Sequence, residues 1–173
     1  YSLNKTREML ESYLVRTIVD KIIYASPYFH IYYKDVLKVK KQYININNKP
    51  SEAIMTYMTD YMSLYKKSLE GKLVIGFIGN VRHRDLLMNL ISSTEVVDGV
   101  VILLAGSGIV AEELKEKIKN TSIGGSVIFT GRFNSEDLQS IYSCCDYVWA
   151  AYPNKDINVK YAVSNKFYEC ITF

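Results

Sequence analysis

The sequence has little of the residues that mark several common classes of protein. It holds only 3 cysteines, two of them adjacent and none in a Cys-x-x-Cys pair, so we predict neither a disulfide framework nor a zinc site. No apolar run reaches the roughly 20 residues that a membrane-spanning helix needs. These features are typical of a protein in a reducing compartment, and we expect a cytoplasmic location.

The net charge of the chain is also small. The formal net charge is +3 over 173 residues, which is too small to indicate a surface for nucleic acid. Hydrophobic residues make up 49% of the chain and charged residues 23%, the usual balance of a folded globular protein. We therefore expect no nucleic-acid partner and a chain with enough apolar material to bury a core.

The second half of the sequence alternates between apolar runs and amphipathic segments. Near-continuous apolar runs are typical of strands in a parallel sheet that is covered on both faces. The predicted strands are residues 73–79, 99–105, 126–130 and 146–151, and the predicted helices are residues 83–92, 109–119, 135–144 and 164 onward. This alternation predicts an α/β fold with a Rossmann-like, doubly wound parallel sheet, and we expect its four strands in the order 2-1-3-4 or its extended equivalent.

The first half of the sequence predicts a separate βα element. Residues 2–19 have helical spacing, and two short strand-like runs, residues 21–25 and 42–46, enclose a second helix. The second run alternates polar and apolar residues, which predicts a strand with one covered face. Residues 51–69 are again helix-periodic.

These patterns divide the chain into three predicted parts. Residues 1–50 are a separate strand–helix–strand segment, residues 51–71 are a linker helix, and residues 72–173 are a C-terminal domain. Four strands alone would leave a hydrophobic sheet edge bare, which soluble proteins avoid. We therefore expect the chain to be a piece of a larger two-domain protein.

Three loops that follow predicted strands carry candidate binding residues. In the first, Gly79 lets the backbone approach a phosphate, and Arg82 and Arg84 supply cations whose planar forks suit a diphosphate. The alternative is that both arginines are solvated residues at the start of a helix.

The other two loops leave alternatives open. The second loop, GSGIVA from Gly106, matches the dinucleotide-binding pattern G-x-G-x-x-A. An NAD site usually has an acidic residue at the end of the next strand, but that strand ends in TGR here. The third exposes the backbone of Gly131 beside Arg132 and Phe133, where a base could bind. A helix capped by Asn134 explains the third loop equally well.

The end of the sequence, VKYAVSNKFYECITF, opens an apolar helical run just after a predicted strand. Ser164 is the predicted N-cap, and the helix then offers free N–H groups and the positive end of its dipole to an anion. Its apolar residues pack on one face and leave Asn165, Lys166 and Glu169 available. The alternative is a capped surface helix with a solvated lysine and glutamate.

The combined order of these motifs resembles the C-terminal domain of the retaining glycosyltransferases with the GT-B fold, of the family 4 type used in capsule and polysaccharide assembly. The runs that carry the resemblance are VIGFIGNVRHRDLLMNLI, GVVILLAGSG, SVIFTGRFNSEDLQSIYSCCDYVWAAY and SNKFYE, which cover residues 72–173 in register. Residues 1–50 resemble the end of that fold's N-terminal domain less specifically.

The resemblance implies a domain that binds a nucleotide-sugar donor without a metal or a cofactor. Glu169 matches the family's second motif glutamate, which accepts hydrogen bonds from the ribose hydroxyls. The first glutamate of that motif falls on Tyr161, and the family's arginine after the first glycine falls on Asn80. The neighbouring arginines, or Lys166, must therefore hold the diphosphate. The predicted donor-binding residues are Gly79, Asn80, Arg82, Arg84, Gly106, Gly131, Arg132, Phe133, Ser164, Asn165, Lys166 and Glu169.

The resemblance thus implies a hexosyltransferase that moves a sugar from a UDP- or GDP-sugar to a glycan or lipid-linked acceptor, at the inner face of the membrane. The family's N-terminal domain binds the acceptor and would bring any peripheral membrane association, so we expect this chain alone to be inactive. Two alternatives stay open. One is a nucleotide-sugar epimerase of similar fold, and the other is a non-catalytic nucleotide-binding or scaffold module, which the departures at Tyr161 and Asn80 favour.

Overall fold

The computed structural model describes residues 2–51, 57–153 and 157–173. Their contacts define two compact units, each made of two segments. The first unit is Tyr1–Lys49 with Pro153–Asn165, and the second is Pro50–Tyr152 with Lys166–Phe173. Residues 153 and 157–165, which the sequence analysis places in the C-terminal domain, therefore belong to the first unit.

The first unit contains a two-stranded parallel sheet. Its elements are α1 (Ser2–Thr17), β1 (Lys21–Tyr24), α2 (Phe29–Ile31), a π-helical turn (Tyr32–Val36), β2 (Gln42–Asn45) and α7 (Ile157–Tyr161). The predicted helix and both predicted strands are confirmed. The expectation that β2 has one covered face is wrong, because all four of its residues are exposed. A buried hydrophobic cluster of this unit contains Tyr32, Leu37 and Val39.

The second unit is a four-stranded parallel sheet with helices on both faces. Its strands are β3 (Leu73–Ile78), β4 (Val100–Ala105), β5 (Val127–Gly131) and β6 (Tyr147–Val148), and its helices are α3 (Lys66–Leu69), α4 (Arg84–Ser93), α5 (Ile109–Ile118), α6 (Leu138–Tyr142) and α8 (Asn165–Thr172). The predicted alternation and the parallel pairing are confirmed.

The strand order of this sheet is β5-β4-β3-β6, or 3-2-1-4 by position in the unit. The predicted order 2-1-3-4 is wrong. The chain first builds outward from β3 through β4 to β5, and then crosses back to pair β6 with the free side of β3. This is the order in which a Rossmann sheet begins, and it places the reversal of direction between β3 and β6.

The core of the second unit follows the alternation of side chains along β4, whose six residues are all buried. Ile102 and Leu104 face one cluster, which includes the apolar residues of α4 and α5. Val101, Leu103 and Ala105 face the other, which includes Ile141 and Tyr142 of α6. Because successive side chains of a strand point to opposite faces, one apolar run supplies both cores.

The linker does not form the predicted continuous helix. Residues 52–56 of that prediction lie outside the described residues, and the rest forms a 3-10 turn (Asp60–Met62) and the short α3. The backbone of Thr59 is extended, its N–H donates to Ser140 Oγ (2.8 Å), and its hydroxyl donates to the Asp137 carboxylate (2.8 Å). Tertiary hydrogen bonds therefore override the local helical pattern here.

Within the described ranges, no helix combines the length and the apolar character needed to cross a bilayer.

Candidate functional site

Three glycines stand at the carboxyl edge of the sheet in the second unit. Gly79 follows β3, Gly106 follows β4 and Gly131 ends β5, with φ angles of 124°, 143° and 75°. A Cβ atom on Gly106 would lie 1.8 Å from the carbonyl oxygen of Gly79, and Gly106 also forms a bridge to Gly131. Of these three glycines, only Gly131 has open space where a Cβ atom would stand, so a ligand can approach the backbone closely there.

The same contacts account for the G-x-G-x-x-A pattern. Gly106 is required because its backbone lies against Gly79, and a Cβ atom on Gly108 would lie 2.5 Å from the carbonyl oxygen of Val81. Both glycines allow two neighbouring loops to pack. The pattern therefore has a structural cause that does not involve a dinucleotide.

Lys166, in the first turn of α8, is the buried cation of this edge. Its side chain is only 8% exposed, and its ammonium donates to the hydroxyl of Tyr152 (2.8 Å). The ammonium lies 4.6 Å from the ring centroid of Phe77 and 3.7 Å from the position that a Cβ atom on Gly79 would take. Lys166 is thus held between the ends of β3 and β6, where the strand order reverses.

The charge of the buried Lys166 ammonium is poorly compensated by its described neighbours. No carboxylate of the described residues lies within ion-pair distance of the Lys166 ammonium. Burying an ammonium is costly unless it is paired, and contacts with aromatic rings and one hydroxyl compensate only in part. Open α/β sheets bind their ligands at the point where the strand order reverses. Lys166, buried and without a carboxylate partner in the part of the chain that the structure describes, is therefore a candidate residue for holding an anion.

Tyr152 contacts Lys166, and His83 contacts Tyr152; the sequence analysis predicts no role in binding for either residue. The ring of His83 lies edge-on to the ring of Tyr152, with centroids 6.1 Å apart. His83 has the left-handed φ of 71° at the start of α4, a conformation that is strained for residues other than glycine. Tyr152 could have been predicted from its position just beyond a predicted strand, whereas no feature of the sequence indicates a role for His83.

The loop after β3 exposes its polar side chains. Arg82, Arg84 and Asn80 are all exposed. Arg84 lies 3.7 Å from a carboxylate oxygen of Glu113 and 3.9 Å from one of Asp85, which are weak surface contacts. Arg82 lies on the same loop as Gly79, Arg84 is the first residue of α4, and both side chains are accessible to a ligand.

The loop after β5 is held by the linker. The Tyr61 hydroxyl lies 3.2 Å from the carbonyl oxygens of both Thr130 and Arg132, and 3.4 Å from that of Gly131. Arg132 is exposed, while Phe133 packs against the core cluster that contains Tyr142. Tyr61 therefore holds the backbone of this loop.

The same loop also contains the helix cap at Asn134 that the sequence analysis names as the alternative interpretation. The side chain of Asn134 accepts from the backbone of Asp137, and the Asp137 carboxylate accepts from the backbone N–H of Asn134 at 2.9 Å. This reciprocal capping box begins the helical segment that leads into α6. Asn134 is thus a helix cap, and Gly131 and Arg132 remain the part of the loop available to a ligand.

Glu169 lies one turn after Lys166 on α8. One of its carboxylate oxygens, Oε2, accepts a short hydrogen bond from the hydroxyl of Tyr142. Tyr142 is buried and stacks on Phe173, with ring centroids 5.5 Å apart. Burial, followed by the hydrogen bond to Glu169, raises the pKa of Tyr142 far above its usual value. The tyrosine therefore stays protonated and donates to the carboxylate.

The remaining predicted residues group with the first unit. Asn165 accepts from the side chain of Asn48 (2.9 Å), and Ser164 directly precedes the start of α8. Tyr161, which stands where the family has a glutamate, packs its ring against Tyr32, and its carbonyl oxygen accepts from Ser26 Oγ (2.7 Å). Tyr161 therefore has a structural role in its own unit.

Among the residues that the structure describes, no group of three or more His, Cys, Asp or Glu side chains could hold a metal ion. All three cysteines are free thiols. Burial raises the pKa of Cys145 to about 12, so this thiol is a poor nucleophile.

The strand order and the helices on both faces of the sheet define a Rossmann-like α/β class of domain. Solved structures with the same fold are GT-B glycosyltransferases, and the similarity covers 83% of this chain. They include sucrose-phosphate synthase from Thermosynechococcus elongatus (18% identity, TM-score 0.66, 37% of that chain). Anabaena HepE is similar in its complex with UDP (17% identity, TM-score 0.67, 41% of that chain) and with UDP-glucose (18% identity, TM-score 0.65, 41% of that chain).

The chain spans about two fifths of the length of these solved structures. Comparison of the sequence with protein-family models and with curated proteins gives no match. The structural similarity therefore establishes the GT-B type of fold.

Proposed function

We propose that the second unit is the donor-binding part of a glycosyltransferase that uses a nucleoside diphosphate sugar. The observation that carries this proposal is the buried ammonium of Lys166, without a carboxylate partner in the described part of the chain, at the point where the strand order reverses. The HepE structures of the same fold contain UDP or UDP-glucose, which supports a UDP-sugar as the donor.

In this proposal, the chain acts on the departing diphosphate. When the bond to the sugar breaks, negative charge develops on the leaving phosphate oxygens. Lys166 and the backbone N–H groups of the glycine loops stabilise this charge without reorganising, since they are already held in place by the fold. The ribose hydroxyls donate to Glu169, and Gly131 and Arg132 lie beside the base.

The wider assignment follows from the resemblance. The acceptor is a glycan or a lipid-linked sugar, and the reaction belongs to capsule or polysaccharide assembly of the family 4 type. The transfer of the sugar takes place at the inner face of the membrane. The acceptor site belongs to the part of such enzymes that lies mainly outside this chain. Donor binding is therefore the property to test on the chain itself.

The test is protection of the chain against thermal unfolding. At a concentration about 100 times its Kd, UDP or GDP should stabilise the fold by about 2.7 kcal/mol and raise Tm by roughly 5–10 °C. Uridine and guanosine should protect less, because they lack the diphosphate. Protection by NAD alone would favour a nicotinamide enzyme, and no protection by any nucleotide would favour a scaffold module.

A second prediction concerns the exposed arginines of the first loop. Replacing both Arg82 and Arg84 with alanine should lower the affinity for UDP by about three- to tenfold and leave the affinity for uridine unchanged, since exposed cations attract the phosphates through solvent. Isothermal titration calorimetry measures both affinities. A matched control replaces Lys115 and Lys117, which are exposed in the last turn of α5. Equal losses of UDP and uridine would show that these arginines do not meet phosphate.

A further inference from the structure

Lys166 and Glu169 carry opposite charges at positions i and i+3 of α8, yet they do not form an ion pair. Side chains at this spacing are neighbours on a helix, with Cβ atoms about 5–6 Å apart, and commonly pair. In this protein, each charge is hydrogen-bonded to a different tyrosine. The ammonium donates to Tyr152, and the carboxylate accepts from Tyr142.

The two tyrosines come from different parts of the fold. Tyr142 is the last residue of α6, and Tyr152 lies beyond the end of β6. Because the elements are packed on the sheet, the two hydroxyls draw the side chains of Lys166 and Glu169 in different directions. The arrangement keeps a cation and an anion close together on one helix without letting them neutralise each other.

The hydrogen bond from Tyr142 leaves part of the carboxylate available. A carboxylate has two oxygens with about four acceptor positions, and the tyrosine occupies one of them. The second oxygen of Glu169, Oε1, has no partner among the described residues, and the side chain is only partly buried. Glu169 can therefore accept hydrogen bonds from a ligand while Tyr142 fixes its orientation.

We propose that Tyr142 is a positioning residue that holds Glu169 away from Lys166 and directs its carboxylate at the ribose hydroxyls of the donor. This inference rests on the proposed function, because it needs a nucleotide at the carboxyl edge of the sheet. Tyr142 itself does not touch the donor. It acts through Glu169, and it separates the group that binds the ribose from the group that binds the diphosphate.

The test is the variant Tyr142→Phe, which keeps the ring and its stacking on Phe173 and removes only the hydroxyl. We expect the affinity for UDP to fall by about five- to tenfold, because Glu169 loses its fixed orientation. The affinity for 2′,3′-dideoxy-UDP should change by less than about twofold, since that nucleotide has no hydroxyls for Glu169. The double variant with Glu169→Gln should bind UDP no more weakly than Glu169→Gln alone.

The matched control is Tyr168→Phe on α8, because the hydroxyl of this buried tyrosine has no hydrogen-bond partner among the described residues. It should leave both affinities unchanged. A purely structural role for Tyr142 would lower stability while UDP and its dideoxy analogue keep the same affinity ratio as in the wild type, and that result would overturn the inference alone. Wild-type protein that binds no nucleotide would overturn the proposed function together with the inference.

Discussion

Replacing Lys166 with methionine is expected to weaken the binding of UDP by about 10- to 100-fold and to leave the binding of uridine nearly unchanged. A hydrogen bond to a charged group contributes about 1.5–3 kcal/mol, and each 1.4 kcal/mol corresponds to a factor of ten. Methionine is close in length to the apolar stem of lysine, so the variant removes the ammonium that lies over the Phe77 ring and keeps most of the volume of the buried side chain. Calorimetry with both ligands measures the difference.

The stability of the same variant gives an independent check. Lys166 is buried without a carboxylate partner in the described part of the chain, so its ammonium costs free energy in the folded state. The free energy of unfolding of Lys166→Met should therefore equal or exceed that of the wild type, as measured by urea denaturation. A loss of affinity with no loss of stability separates a binding role from a structural one.

The control for this substitution is Lys160→Met in α7, another lysine whose ammonium lies over a tyrosine ring, 5.4 Å from the centroid of Tyr161. Lys160 is exposed and belongs to the first unit, so its replacement should not change the affinity for UDP. If Lys166→Met binds UDP as tightly as the wild type, the lysine does not hold the diphosphate and the proposed donor site is wrong.

The second large effect is expected for Glu169→Gln, which keeps the shape of the side chain and replaces a charged acceptor by a neutral amide. If the carboxylate accepts the ribose hydroxyls, the variant should lose about 1.5–3 kcal/mol of binding free energy for UDP. The 2′,3′-dideoxy nucleotide should bind the wild type and the variant almost equally, because it lacks the hydroxyls that make the difference. Calorimetry on two proteins and two nucleotides gives the full comparison.

A suitable control is Glu70→Gln, since Glu70 is exposed and precedes β3 at the opposite, amino-terminal edge of the sheet. It should bind both nucleotides as the wild type does. Identical affinities of the wild type and Glu169→Gln for UDP would show that Glu169 serves only as the acceptor for Tyr142, and the ribose assignment would then fail.

The sequence predicted the elements of the second unit well because their signals are local. The apolar runs of β3 and β4 and the three- and four-residue spacing of α4 and α5 are fixed by burial on both sides of one sheet. The same local reasoning failed for the linker. Thr59 and Tyr61 lie in a helix-periodic stretch, but their hydrogen bonds to α6 and to the end of β5 favour another backbone path.

Strand order could not be read from the same patterns. The apolar runs of β3, β4 and β5 all have the pattern of buried strands, and their residues do not indicate which strand pairs with which neighbour. The pairing depends on how each crossover packs its helix on the sheet, which is a property of the whole unit. This error mattered for the site, because the order β5-β4-β3-β6 places the reversal between β3 and β6, beside Gly79 and Tyr152.

By itself, the sequence determined the α/β class, the glycines at the strand ends, and Lys166 and Glu169 as candidate residues on one helix, since these follow from residue type and short-range spacing. Only the tertiary structure decided that Lys166 is buried without a carboxylate partner in the described part of the chain and that Glu169 is held by Tyr142. The physical reason is that the environment of a charge is set by groups distant in the chain. Lys166 and Tyr152 are 14 residues apart and Glu169 and Tyr142 are 27 residues apart, and packing on the sheet brings each pair together.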